Sequence, residues 1–416
     1  MAPPKPDGDR IEKVTAALVE AWGPADVSIS TRIVRAPGSV TLMGGHTELN
    51  EGYVLPAAVE QDTWIAFRPR RDGLVRVVSR DAGQAGDPGS FWIDELEPDL
   101  SRSGASGLGA PGTGPGGGSW SDYVAGAAWS LREASLPVRG FEGVVDTRLP
   151  IGIGMASSAA LGVVSALALL GGGHVLSGPA LAAIAQRGER DYVGVDSGIV
   201  DQMASAAGRE GRAMLLDCRS LEVRHVPLPY GIRVVICDTG TRAETRSPEI
   251  LTRRADCARA VALLSERLPG LCSLRDMDMA SLRRHLALLP EAPALRAEHV
   301  ISENARVLAT ATALETGDLD QLGRLFAESH ASLRDLYEVS SPALDTMVEV
   351  AGGVPGVVAS RMSGPGFGGC TVNLVLSDAV PALKAAVSGE YKRRTGLDGR
   401  VFPAELVDGA GPVSTG

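Results

Sequence analysis

Hydrophobic positions fall into two kinds of run along this chain. In the N-terminal half they form short stretches punctuated by Gly, Pro and Asp, namely IVRA, SVTLM, WIAFRP, LVRVVS, FWIDEL and GVVDTRL, a pattern that predicts strands. Helical periodicity sets in after Ser121 and after Ala156. From Pro248 it dominates, through LTRRADCARAVALLSERL, SLRRHLALL, ENARVLATATALE and LDQLGRLFAESH. VVASRMS and CTVNLVLS then restore strands, and a last helix is predicted from about Val380 to Thr395. No periodic repeat is present. The pattern predicts an α+β protein divided near residues 215 to 235, with one lobe over 10–220 and a second over 221–408. Residues 1–9 and 409–416, rich in Pro, Gly and small polar residues, are predicted to fray. SRSGASGLGAPGTGPGGGS, residues 101–119, has the composition of a flexible surface loop within the first lobe.

One stretch challenges this soluble reading. From Leu149 to Gln186 there is no Asp, Glu, Lys or Arg, a length sufficient on paper to cross a bilayer. Pro150, Gly152, Gly154, a Gly171–Gly173 run and Pro179 interrupt it, so it reads as a loop, a buried helix and a second loop. Composition agrees: 44% hydrophobic and 22% charged residues are globular usage, and 416 residues suffice for two or three units of about 150 each. Fifty acidic against forty basic side chains leave a net charge of −10, so the chain as a whole attracts neither nucleic acid nor anionic lipid. The five cysteines are widely spaced without a CxxC pair, and the N-terminal text lacks an apolar leader, which together predict a reduced, cytoplasmic setting.

Four segments carry candidate chemistry. In PIGIGMASSAALGVVSALALL, residues 150–170, Gly152 and Gly154 let the backbone curl immediately before an apolar helix, which makes an anion cradle of unpaired amides. Ser157 and Ser158 add hydroxyls suited to phosphate oxygen or a magnesium ion. No GKS or GKT follows, which excludes a Walker-type loop; the plain alternative is a glycine turn before a buried helix. In RAPGSVTLMGGHTELNEGYVLPAAVEQ, residues 35–61, His46, Thr47, Glu48 and Asn50 share one constrained loop able to bind hydroxyls, although a lone histidine is commonly structural. RMSGPGFGGCTVNLV, residues 361–375, is a glycine-dense turn between strands. GERDYVGVDSGIVDQMAS, residues 188–205, sets Glu189, Asp191, Asp196 and Asp201 among apolar neighbours, where a carboxylate can serve a metal or a substrate hydroxyl; each alone could equally be a solvated surface acid.

Together these segments resemble the galactokinase branch of the GHMP small-molecule kinases from about residue 33 to residue 408. Residues 35–61 resemble the family's PGRVNLIGEHTDYN signature, residues 150–160 its PxGxGLSSSAA phosphate loop, and residues 364–370 its GxGFGGC loop. The resemblance implies a two-lobed body with a ribosomal-S5-like N-terminal lobe, a deep cleft, and transfer of the ATP γ-phosphoryl group to the C1 hydroxyl of a sugar. Asp201 matches the catalytic aspartate, and Ser158 and Glu189 the Mg²⁺ ligands. Gly152, Gly154 and Ser157 match the loop around the nucleotide phosphates, Trp120 the aromatic beside the adenine, and Gly198 and His46 the sugar-binding backbone and loop. Phosphoryl transfer asks chiefly for positioning and charge neutralisation, which such a set supplies.

The departures cluster on the sugar side. Ser39 stands where the family carries arginine, Gly45 where it carries glutamate, Glu48 for aspartate, Leu49 for tyrosine and Ile250 for another tyrosine. On the nucleotide side Ala156 shortens the serine run and Pro365 replaces one loop glycine. Two expectations follow. In one, the chain is a sugar kinase whose acceptor is related to galactose or extended at C6, because Gly45 opens volume and removes a partner for the hydroxymethyl group. In the other, loss of the arginine leaves a weakly active or inactive sugar- and ATP-binding protein with a regulatory role. Either way the ligands are a sugar, ATP and Mg²⁺, without nucleic acid or membrane, in a monomer or homodimer.

Overall fold

A computed structural model describes residues 8–24, 29–80, 88–98, 119–172, 176–242 and 248–414. The expected glycine-rich loop, apart from Ser119, lies outside them. The first lobe opens with α1 (Gly8–Trp22), followed by the strands β1 (Arg32–Met43), β2 (Tyr53–Pro69), β3 (Leu74–Ser79) and β4 (Gly89–Trp92). Next come α2 (Ser121–Glu133), β5 (Phe141–Thr147), α3 (Ser157–Leu169), α4 (Gly178–Arg187), α5 (Val200–Ala207), β6 (Arg212–Asp217) and β7 (Val223–Pro227). The second lobe is β8 (Ile232–Asp238), α6 (Pro248–Ser265), α7 (Met279–His285), α8 (Glu291–Thr316), α9 (Leu319–Asp335), α10 (Pro342–Gly352), β9 (Val357–Ser363), β10 (Cys370–Leu376), α11 (Val380–Ala386), α12 (Lys392–Thr395) and β11 (Arg400–Ala404). A last short strand, β12 (Gly411–Pro412), returns to the first lobe.

The first sheet runs β12-β1-β2-β5-β3-β4, with β6 and β7 joined to β2; the second runs β11-β8-β10-β9. Two runs predicted as separate strands, IVRA and SVTLM, are one strand with a register break between Pro37 and Gly38. The break has a steric cause: a Cβ on Gly38 would sit 2.3 Å from the Leu149 side chain. The first sheet extends through β7 to Pro227, past the boundary expected at residue 220. Within the two segments expected to fray, the described residues are engaged. Gly8 and Asp9 open α1, while Gly409, Ala410 and Val413 donate backbone hydrogen bonds to Gly208, Ser205 and Ile33, which holds residues 409–413 against the first lobe.

The charge-free stretch becomes the middle of the molecule. Almost every residue of α3 is buried, packed between the first sheet and its flanking helices, and each fully buried Leu or Val there contributes about 1.5–3 kcal/mol. No described helix is long and apolar enough to cross a membrane. The second lobe is fixed to the first through one shared core. Val307, Ala311 and Leu314 of α8 pack in the same cluster as Val54 and Leu216 of the first sheet and Val372 of the second. All five cysteines are free thiols.

Candidate active site

The glycine loops read separately from sequence converge in space. Gly152 and Gly154 have φ of +77° and +88°, and Ala156, the residue before α3, has φ of +56°. This left-handed path delivers the chain into α3 with no side chain capping its first turn, so the leading amides and the helix dipole face outward together. The turn between β9 and β10 meets this loop glycine to glycine: a Cβ on Gly364 would lie 3.4 Å from the Gly154 Cα. On the opposite flank the Ser39 amide donates to the Met155 carbonyl at 3.3 Å.

Beside the α3 N-terminus lie the acids. Glu189 sits in a π-type turn, Gly188–Val193, which α2 crosses closely enough that a Cβ on Gly188 would come within 2.5 Å of the Gly126 carbonyl oxygen. The extra residue of such a turn re-aims a side chain, and here the Glu189 carboxyl is buried. It accepts from Gln202 Nε2 at 2.6 Å. Burial pushes its pKa up, opposed by the hydroxyl of Ser158, while the charge of Asp201 adds to the rise. Asp201, in the first turn of α5, takes a hydrogen bond from Ser39 Oγ at 2.6 Å. Burial raises its pKa too, and the Ser39 hydroxyl alone opposes the shift; no cation contributes among the described residues.

The donor set here suits Mg²⁺. One hydroxyl, one carboxylate and a second carboxylate nearby are hard oxygen ligands, and the buried Oε1 of Gln202 has no partner among the described residues. Among the described residues no three His, Cys, Asp or Glu side chains gather into a cage. An ion held by few protein ligands, with phosphate and water completing its shell, is the ordinary arrangement for Mg²⁺.

The acceptor side is built from side chains. His46, at φ +63°, stacks on Tyr337 with centroids 4.5 Å apart. One of its ring nitrogens bonds the Pro365 carbonyl and burial lowers its pKa to about 3. Its Nε2 is buried without a partner among the described residues. Glu48 packs on Gly198, where a Cβ would meet its Cγ at 2.9 Å; burial raises its pKa, and Arg254 of α6 opposes the shift. Ile250 is buried one turn before Arg254 on the same helix face. Trp120 packs, partly buried, against the first-lobe core just before α2.

At Gly45 the direction a side chain would take is closely packed. A Cβ would lie 3.0 Å from Arg361 Nη2 and 3.2 Å from the Leu333 side chain. The loop is held from beneath by buried groups of α8: Glu303 Oε1 accepts from the amides of Gly44 and Gly45 at 3.0 and 3.3 Å, and His299 Nε2 bonds the Gly45 carbonyl oxygen at 3.0 Å. Glu303 also accepts from Ser329 Oγ and Arg306 Nε, with Arg361 Nη2 at 3.9 Å. Those cations hold its pKa down to about 2 although burial acts the other way.

Sequence reasoning missed Gln202, Arg254, His299, Glu303, Tyr337 and Arg361. Gln202 and Arg361 lie inside the segments 188–205 and 361–375 already singled out, and Arg254 inside the helical run that follows Pro248. His299 and Glu303 left only a weak trace, two polar residues four apart on a predominantly apolar helix face.

Comparison with known proteins places the chain. The model of the galactokinase galactose-binding signature matches residues 26–69, that of the GHMP kinase N-terminal domain residues 122–209 and that of the GHMP kinase C-terminal domain residues 310–393. A galactokinase of Chloroflexus aurantiacus is 42% identical over 386 residues, covering 92% of this chain and 93% of that one. The chain belongs to the galactokinase family of GHMP kinases. A galactokinase of Roseiflexus sp. is 40% identical over 383 residues, with 92% and 93% covered. Among solved structures, Lactococcus lactis galactokinase complexed with galactose superposes with a TM-score of 0.86 at 30% identity, covering 96% of this chain and 99% of that chain. Methanococcus jannaschii mevalonate kinase, at 16% identity and a TM-score of 0.62 over 91% of this chain and 99% of that chain, shares the fold. This galactokinase-family chain is a sugar kinase with the two-lobed GHMP fold, and its departures at Ser39, Gly45 and Glu48 fall inside the matched signature.

Proposed function

We propose that this kinase transfers the γ-phosphoryl group of ATP to the anomeric C1 hydroxyl of galactose or a closely related hexose. The observation that carries the reading is the Ser39–Asp201 hydrogen bond beside the Ser158–Glu189 pair at the mouth of α3: one oriented carboxylate faces an anion cradle. The amides leading α3, shaped by Gly152 and Gly154 and joined by Ser157, receive the phosphates. Mg²⁺ held by Ser158 and Glu189 would neutralise charge on the transferred phosphoryl group. Asp201 orients the attacking hydroxyl and accepts its proton, since a carboxylate raised by burial is a stronger base than an exposed one. His46 Nε2 and Glu48 offer hydrogen bonds to the remaining sugar hydroxyls, with the Gly198 backbone between them.

The packing at Gly45 argues against a lengthened C6 arm, because Arg361 and Leu333 fill the direction a side chain would take. Retention of Asp201, Glu189 and Ser158 argues against a purely regulatory binder. The test is ³¹P NMR of D-galactose with ATP and Mg²⁺. A sugar 1-phosphate resonance growing with ADP is expected. ATP left intact with galactose, or consumed only with heptoses or octoses, overturns the reading.

A further inference from the structure

The two lobes meet over the acceptor pocket through adjacent arginines of α6. Arg253 Nε donates to the Tyr337 carbonyl at 2.9 Å and its Nη2 to the Glu338 carbonyl at 3.3 Å. Those bonds fix the turn whose tyrosine ring stacks on His46. Arg254 reaches the other way, into the first lobe. Its Nη1 donates to the Asp196 carbonyl at 3.0 Å and to Asp196 Oδ2 at 2.7 Å, gripping one residue by backbone and side chain at once. Asp196 stands two residues before Gly198 and five before Asp201. The Arg254 side chain is only 20% exposed, its Nε is buried without a partner among the described residues, and its charge bears on both Glu48 and His46.

We propose that Arg254 is a positioning and specificity-determining residue of the acceptor site, holding the 196–198 loop across the lobe junction. Its charge acts from the second lobe on Glu48 and His46 of the first and does not extend to Asp201. The argument is geometric. A loop carrying a close-packed glycine against Glu48 needs an anchor, and Arg254 Nη1 meets the Asp196 carbonyl and carboxylate together from the end of a side chain longer than lysine's, so a lysine reaches the pair less well. The same charge opposes the rise that burial imposes on the Glu48 carboxyl, in a site where Asp201 receives no cationic help. Arg254 itself touches none of the amides leading α3, although Ser197 of the same loop bears on Glu189, so the larger effect falls on the sugar.

The inference rests on the reading of this cleft as a sugar site, and two measurements separate the two. Hydrogen–deuterium exchange of the full-length protein without ligand reads the anchor directly. In Arg254→Gln, amides of residues 195–199 are expected to exchange about tenfold faster or more, the scale of one lost charge-assisted bond, while α3 is unchanged. Steady-state kinetics read the specificity: KM for D-galactose rises about tenfold or more while KM for ATP stays within about twofold, and Arg254→Lys recovers only part of the loss. Asp196→Asn, which keeps the carbonyl bond, shifts both readouts in the same direction by less. Unchanged loop exchange, full rescue by Arg254→Lys, or an equal rise in both KM values overturns the proposal. If the unsubstituted protein consumes no galactose, the functional reading falls, and the exchange data still decide the role of Arg254.

Discussion

The side of the site proposed to take phosphate and the side proposed to take the sugar are made of different material. The phosphate side is backbone: left-handed glycines, uncapped amides at the start of α3, and a glycine-to-glycine contact between Gly154 and Gly364. The sugar side is side chains, with Glu48, His46 and Tyr337 above and the ionic group of Glu303, Arg306 and Arg361 beneath. A backbone site depends on where the chain can follow a left-handed path, and Ala156 takes one at φ +56°. A side-chain site depends on which groups are present, so each departure alters partners. Loss of the arginine at Ser39 leaves Asp201 with a hydroxyl in place of a cation, and loss of the glutamate at Gly45 leaves Arg361 to the buried carboxylate of Glu303.

The sharpest break lies where the two sides meet. Asp201→Asn keeps the Ser39 partner but cannot accept a proton, and kcat is expected to fall by about 10²–10⁴, measured as ADP release, with ATP affinity by calorimetry little changed. Next comes the floor of the sugar loop. Glu303→Ala leaves Arg361 buried without its anion and the Gly44 and Gly45 amides without an acceptor. Breaking such a pair costs about 3–5 kcal/mol, to be read as a shift of the urea midpoint, whereas an effect under about 1 kcal/mol would return the loop to ordinary surface behaviour.

The pH dependence of stability carries a smaller, signed effect. The buried imidazole of His299 is held at about 4 against about 6.5 in an unfolded chain. Between those values the unfolded state binds the extra proton, so stability is lost as pH falls from about 6.5 towards 4, by at most about 1.4 kcal/mol per unit. Glu303, lowered to about 2, keeps its contribution above about 4.5 and loses it only as pH falls towards 2, below the histidine window. Buried carboxyls pushed upward act in the opposite sense but are common to all variants. In His299→Gln the pH 5–6.5 slope of melting temperature should therefore change by one proton, and an unchanged slope would mean that His299 titrates normally. The smallest effect belongs to the backbone side: Gly154→Ala, forced to φ +88°, costs about 1–2 kcal/mol, with a raised KM for ATP and an unaltered KM for sugar.

How far the sequence disclosed this site follows the same division. Glycine loops, strand alternation and the serine pair are local signals, and they placed the glycine bend before α3, the β9–β10 turn and the buried α3 where the structure has them. Asp201 and Glu189 lie in one short segment and were legible beside each other. Partners supplied by distant helices were not: Arg254 reaches Asp196 across 58 residues and Glu303 reaches Gly44 across 259, and no local pattern encodes either contact. Gly45 shows the converse. Read alone it means missing volume; packed against Arg361 and Leu333 it means a filled one.

The closing strand β12 has a consequence for biosynthesis. Glu405 accepts from the Glu60 amide and Pro412 pairs with Val34, so the first lobe is completed by residues translated after nearly all of the second. Until they emerge from the ribosome, β1 offers a bare edge to neighbouring chains. A nascent first lobe, although its central helix is already made, waits for the far end of its own message before that edge is shut.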